Sequence, residues 1–136
     1  MDVKPLVEKA LGARANAYAP YSGFKVGACV RAASGRTYTG CNIENAALGA
    51  TCCAERVALY TALAAGEREF THVAVASDGD AATFPCGTCR QVIMEFAPHA
   101  LVVCADRTGA FEVYPAGALL PHAFAFSPGK EGCGDA

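Results

Sequence analysis

Two cysteine-bearing helix starts constrain this chain more than any other feature in it. Cys53-Ala54-Glu55 opens one apolar-periodic segment, and Pro85-Cys86-Gly87-Thr88-Cys89 opens another. The first is predicted to run over Cys53–Ala65 and end at Gly66; the second covers about Gly87–Ala97 and is stopped by Pro98. Both sets of thiols then sit at helix N-termini, where the macrodipole favours thiolate, the form in which cysteine binds zinc. If the two helices follow strands of one sheet, their starts can lie side by side and three sulfurs converge. Three protein ligands leave a fourth tetrahedral position for water, the mark of a catalytic zinc site rather than a structural one. Spacing alone leaves two other readings open: a redox dithiol, or half of a structural four-cysteine site to which Cys52 adds a sulfur.

The rest of the chain supplies such a sheet. Asp2 and Pro5 open a first helix, with Val3, Leu6, Val7, Ala10 and Leu11 on one stripe, expected to reach about Tyr18 before Pro20-Tyr21-Ser22-Gly23 breaks it. Phe24–Ala33 reads as a strand, Ser34-Gly35 as a hairpin turn and Arg36–Asn42 as the return strand. Thr71–Ser77, Leu101–Ala105 and Phe111–Tyr114 read as further strands, and Ala116–Leu120 as a short helix before Pro121. The order α-β-β-α-β-α-β-β-α, without repeat or linker, predicts a single α/β domain over residues 1–136, a mixed sheet with helices on both faces. Residues 127–136 are expected to form a flexible tail.

Composition excludes several classes of function. Hydrophobic residues make up 53% of the chain, which rules out intrinsic disorder and hints at apolar surface that oligomerisation would cover. A net charge of -2 with no Lys or Arg cluster argues against a nucleic-acid partner. Apolar runs such as Val73–Ala76 are far too short to span a membrane, and Met1-Asp2-Val3-Lys4-Pro5 has no apolar leader. A cytoplasmic, reducing setting is the expectation. The eight cysteines are therefore read as ligands or packing rather than disulfides. Cys29 and Cys104, inside apolar strands, are expected to be small buried hydrophobes, and Cys133, in Gly132-Cys133-Gly134, to be exposed.

Glu55 sharpens the metal reading. Alone it is an ordinary first-turn acid favoured by the helix dipole. Two residues after Cys53 and beside three converging sulfurs, it is placed to take a proton from an activated water and hand it to a substrate nitrogen.

Cys-Ala-Glu-Arg at 53–56, followed by Pro-Cys-x-x-Cys-Arg-Gln at 85–91, resembles the zinc-dependent cytidine deaminases, specifically the small homotetrameric kind. So do Tyr18-Ala19-Pro20-Tyr21-Ser22-x-Phe24-x-Val26-Gly27-Ala28, Gly40-Cys41-Asn42-Ile43-Glu44-Asn45-Ala46 and Leu119-Leu120-Pro121-x-Ala123-Phe124, so the likeness covers about residues 4–126. The resemblance implies a three-layer α/β/α sandwich around a mixed sheet of about five strands. It implies one zinc per chain on Cys53, Cys86 and Cys89, with Glu55 as the catalytic proton shuttle. The reaction implied is hydrolytic deamination of cytidine and 2′-deoxycytidine to the uridine nucleosides and ammonia, in pyrimidine salvage.

It also implies further roles. Asn42 and Glu44, two apart on an extended segment, would hold the ribose 3′-hydroxyl; Phe24 would stack on the pyrimidine; the Ala54 backbone and the carbonyls near Phe84 and Pro85 would read the base edge. Phe124 would complete the site of a neighbouring subunit in a homotetramer. A zinc with three thiolates carries a net charge of about -1, which opposes ionisation of its water and calls for compensation. Arg56, three residues after Cys53, is implied to hydrogen-bond the ligand sulfurs and draw off that charge, with Arg90 a weaker candidate. Cys52, Leu48, Thr51 and Phe84 depart from the family pattern and bear on selectivity. The rival readings are a blasticidin-type nucleoside-antibiotic deaminase, against which Asn42-Ile43-Glu44-Asn45 argues, and a structural zinc-binding interaction module, which leaves Glu55 without a purpose.

Overall fold

The computed structural model describes residues 1–126. Five strands form one sheet: β1 (Val26–Ala32), β2 (Thr37–Cys41), β3 (Phe70–Ser77), β4 (Leu101–Ala105) and β5 (Phe111–Pro115). Four helices accompany them: α1 (Lys4–Ala13), α2 (Ala54–Ala64), α3 (Gly87–Phe96) and the short α4 (Ala116–Leu119). The strand order is β2-β1-β3-β4-β5. β3 and β4 run parallel and are linked through α3, the kind of crossover a parallel pair requires; the other neighbours are antiparallel. The predicted mixed sheet of five strands is the one observed.

Alternation along the strands divides the core in two. Ala28, Val30, Ala32, Val73, Val102 and Cys104 face α2, α3 and α4, while Cys29, Ala74, Ala76, Val103 and Ala105 face Leu6, Val7 and Ala10 of α1. Helices therefore cover both faces, and the result is a three-layer sandwich. Cys29 and Cys104 are fully buried, and burial pushes their thiols up to about 11 and about 12. They are packing residues. Cys133 and the tail over 127–136 lie outside the described residues.

The first helix is shorter than its periodicity predicts. It ends at Ala13, continues as a 3-10 turn over Arg14–Asn16 and leaves helical geometry at Ala17. Two tertiary contacts override the helical pattern. Arg14 donates to the Leu11 and Ser77 carbonyls and pairs with Asp78 at 3.0 Å, clamping the helix end to the end of β3. Tyr18 is drawn into a strand-like bridge with Ile43, its N–H on the Asn42 carbonyl at 3.0 Å and its carbonyl accepting the Glu44 N–H at 2.8 Å.

Two glycines set how closely the helices lie on the sheet. A Cβ on Gly27 would come within 1.9 Å of the Ala10 carbonyl oxygen. One on Gly40 would come within 2.5 Å of the Ala58 nitrogen and 2.7 Å of the Ala54 carbonyl oxygen, so β2 meets α2 backbone to backbone. Gly40→Ala should therefore cost about 3 kcal/mol or more in urea unfolding, because main chain rather than a flexible side chain must move. Zinc content is expected to fall with it, since α2 begins beside Cys53.

Candidate active site

Cys53 and Cys86 are the residues immediately before α2 and α3, both in extended geometry, and Cys89 follows in the first turn of α3. Their three sulfurs lie within 4.8 Å of one another, with Cys53 and Cys86 3.9 Å apart. A tetrahedral ion with Zn–S bonds of about 2.3 Å holds its sulfurs about 3.8 Å apart, so the group is built to the scale of zinc. Cys52 stays outside it. Its backbone is paired both ways with Ile43 at 2.9 Å, an extended bridge that precedes the turn into α2.

The hydrogen bond to Cys89 pulls Cys53 down to about 5, against the effect of burial and with help from Arg56 and Cys86. Cys89 is pushed up by that same bond and by burial. Arg56 Nη2 lies 3.5 Å from Cys53 Sγ and 3.4 Å from the Thr51 carbonyl. Its Nε is buried without a partner among the described residues. Arg90 behaves differently: it donates to the Pro85 carbonyl at 2.7 Å and the Leu119 carbonyl at 3.0 Å, tying the start of α3 to the end of α4. Arg90 is half-buried, and its hydrogen bonds go to carbonyls rather than to a carboxylate.

Glu55 is 4% exposed, and burial pushes its carboxyl up to about 7, the Cys53 charge adding to the effect while Arg56 opposes it. A carboxyl poised there exchanges protons readily at neutral pH. It lines a cleft of about 310 Å³ together with Phe24, Asn42, Glu44, Ala54, Phe84, Cys53 and Cys86. That volume lies at the small end of the usual range for ligand pockets.

The sugar-side residues are more heavily engaged than their types suggest. The Asn42 carboxamide accepts the Val26 N–H at 2.9 Å and donates to the Phe24 carbonyl at 2.8 Å, stapling the start of β1. One amide proton and one lone pair remain. Glu44 accepts the Tyr21 and Ser22 N–H groups at 2.9 and 3.1 Å and the Ser22 hydroxyl, and that hydroxyl, foremost, lowers its pKa. Ser22 lines the cleft and was passed over in the sequence reading as part of a helix-breaking turn; the signal was the turn's one aliphatic hydroxyl. Phe24 is 44% exposed and sits over Gly79, so it is not core. Phe84 is 42% exposed, with its ring against Tyr114 at 5.6 Å. Phe124 lines a different cleft, of about 540 Å³, beside the end of α3, where its carbonyl accepts the Gln91 side chain at 3.0 Å.

A cysteine triad that fits zinc, a buried carboxyl against it and an α/β/α sandwich presenting both from helix starts together define the zinc-dependent deaminase class. The family described as "Cytidine and deoxycytidylate deaminase zinc-binding region" matches residues 2–105, and the chain belongs to it. Cytidine deaminase of Sporosarcina psychrophila is 45% identical over 125 residues, 91% of this chain and 92% of that protein. The crystal structure of cytidine deaminase from Burkholderia pseudomallei superposes with a TM-score of 0.88 at 47% identity, covering 91% of this chain and all of that one. That from Mycobacterium tuberculosis gives a TM-score of 0.81 at 35% identity, covering 92% and 98%. The chain is thus a zinc-dependent hydrolase of this family, with the Cys53, Cys86 and Cys89 cluster placed to hold the metal.

Proposed function

We propose that the chain deaminates cytidine and 2′-deoxycytidine hydrolytically, releasing ammonia, as one domain over residues 1–136. The observation that carries this reading is the buried Glu55, which shares one cleft with Cys53 and Cys86. A structural metal site gives no reason to bury a carboxyl there. Cys53, Cys86 and Cys89 would hold zinc, which would supply an activated water at neutral pH. Glu55 takes one proton of the water and delivers it to N3 of the base so that C4 becomes electrophilic. The water oxygen adds to C4, and Glu55 then carries the second water proton to the amine, which leaves as ammonia as the C4–N bond breaks and the C4 carbonyl forms. Phe24 stacks on the pyrimidine, and the Ala54 backbone and the carbonyls near Phe84 and Pro85 read its edge. Glu44, held ionised and oriented by Ser22, accepts a ribose hydroxyl through its remaining lone pairs, and Asn42 donates its free amide proton.

Arg56 compensates the charge of three thiolates. Arg56→Gln should keep zinc but lower the rate and move the pH–rate profile upward, since the sulfur charge is no longer drawn off. An unmoved profile with normal zinc content would contradict this role.

Phe124, 66% exposed and outside its own chain's cleft, fits a residue that completes a neighbour's site in a homotetramer. Sedimentation should then show four chains, and Phe124→Ala should raise KM without loss of zinc. The setting proposed is pyrimidine salvage in the cytoplasm; no helix among the described residues is long and apolar enough to cross a membrane.

The direct test is loss of ultraviolet absorbance when purified protein meets cytidine, with zinc content measured alongside. A chain that binds one zinc yet leaves cytidine and deoxycytidine untouched overturns the reading.

A further inference from the structure

The loop over 78–86, between β3 and α3, carries one wall of the cleft through Phe84 and the ligand Cys86. Its base is held by two hydroxyls. Ser77, the last residue of β3, is 1% exposed, and Thr83 lines the cleft. Their oxygens lie 2.7 Å apart. Thr83 Oγ1 is also 2.7 Å from the Ala105 carbonyl oxygen, and the Gly79 N–H reaches Ser77 Oγ at 3.1 Å.

Proton counting gives these contacts a direction. Each hydroxyl has one proton, and a carbonyl has none to offer. Thr83 must therefore donate to Ala105, which leaves its oxygen to accept the proton of Ser77; the Ser77 oxygen in turn accepts the Gly79 N–H. The contacts form a one-way chain from Gly79 N–H through Ser77 and Thr83 to the end of β4, each link polarising the next. The Thr83 N–H lands on the same Ala105 carbonyl at 3.0 Å, so both donors of one residue are tied to one atom. The chain also reaches the opposite wall: a Cβ at Gly79 would stand 3.2 Å from Ser77 Oγ and 3.5 Å from Phe24 Cζ. Phe24 thus packs on one end of the chain while Phe84 follows directly from the other.

We propose that Thr83, oriented by Ser77, is a positioning residue for the deamination: by anchoring to Ala105 it sets where Phe84, Pro85 and Cys86 stand relative to Phe24 and Glu55. The inference rests on the deaminase reading of the cleft. It adds a positioning element that is neither one of the three cysteines nor the proton shuttle.

The test compares the parent with Thr83→Val, Thr83→Ser, Ser77→Ala and the Ser77→Ala/Thr83→Val double variant, each assayed with cytidine and for zinc. Thr83→Val should keep its zinc and lose about 10- to 100-fold in kcat/KM, mostly in kcat, as small displacements of a reacting assembly do. Thr83→Ser restores the hydroxyl and should stay within about threefold of the parent, and the double variant should be no more than about threefold worse than Thr83→Val, because the chain is already broken. Thr83→Val within about threefold of the parent, Thr83→Ser as impaired as Thr83→Val, or multiplying losses in the double variant would each overturn the proposal. Should Thr83→Val not fold, Ser77→Ala carries the test, with a loss of about tenfold expected and one under about threefold overturning it. Should the parent itself leave cytidine untouched, the functional reading falls and amide exchange of residues 79–86 decides this one. Exchange about tenfold faster in Thr83→Val than in Thr83→Ser supports the chain, and equal exchange overturns it.

Discussion

Glu55→Gln is expected to give a folded, zinc-loaded protein whose kcat on cytidine is lower by about 10³- to 10⁴-fold. The substitution keeps the shape of a side chain that is 4% exposed, so the cleft retains its walls. What disappears is the ability to gain and lose a proton near pH 7, which burial confers by pushing the carboxyl up to about 7. Nothing else in the cleft replaces it. Glu44 is the other carboxyl in the lining, but its pKa is lowered by the Ser22 hydroxyl, and it is bound to backbone N–H groups of the 20–23 turn. The thermal midpoint should hold or rise, because a neutral amide in that place carries no ionised form to desolvate. A zinc-loaded variant within tenfold of the parent would remove Glu55 as the proton carrier.

Cys89→Ala should release the metal. Its sulfur is fully buried in the first turn of α3 and is the one least able to be replaced by water, while an alanine there suits the helix. Losing one of three thiolates is expected to weaken zinc binding by about 10³-fold or more, a share of the large free energy such sites supply, and activity should vanish with the metal. Metal analysis after dialysis is the check: stoichiometric zinc in the variant would mean that Cys89 is not a ligand. A chelator added to the parent should do the same to activity while the circular dichroism of the sheet persists. The core of Val30, Val73, Val75, Val102 and Leu59 is buried independently of the sulfurs.

What could be read from the chain before folding followed local rules. Gly, Pro and the apolar patterning located the five strands and four α-helices, whether an element buries one face, as the helices do, or both, as β3 and β4 do. The meeting of Cys53 with Cys86 and Cys89 was legible because helix starts recur at one end of a sheet. The misjudged places are those where one side chain reaches far along the sequence. Arg14 ends the first helix by grasping Ser77 and Asp78, more than sixty residues on, and no helical period encodes that. Nor does any local pattern show that Asn42, besides the sugar-binding role proposed for it, staples the backbone of Phe24 and Val26. Thr83 has no motif around it, and the 18–28 motif that contains Ser22 does not say what its hydroxyl holds. Their importance comes from partners distant in sequence, Glu44 for Ser22 and Ala105 for Thr83, which a linear pattern does not contain.

The close seat of α2 on β2 at Gly40 has a consequence for anyone redesigning this protein. Because helix and strand touch through main-chain atoms, the height of Cys53 above the sheet is a property of the backbone rather than of the residues filling the interior. Core side chains elsewhere on that face can be exchanged for others of equal bulk with the metal's seat left in register. The reverse also holds: an attempt to retune the geometry of the centre by repacking its surroundings has little leverage, whereas a single methyl group at Gly40, between β2 and α2, would shift it.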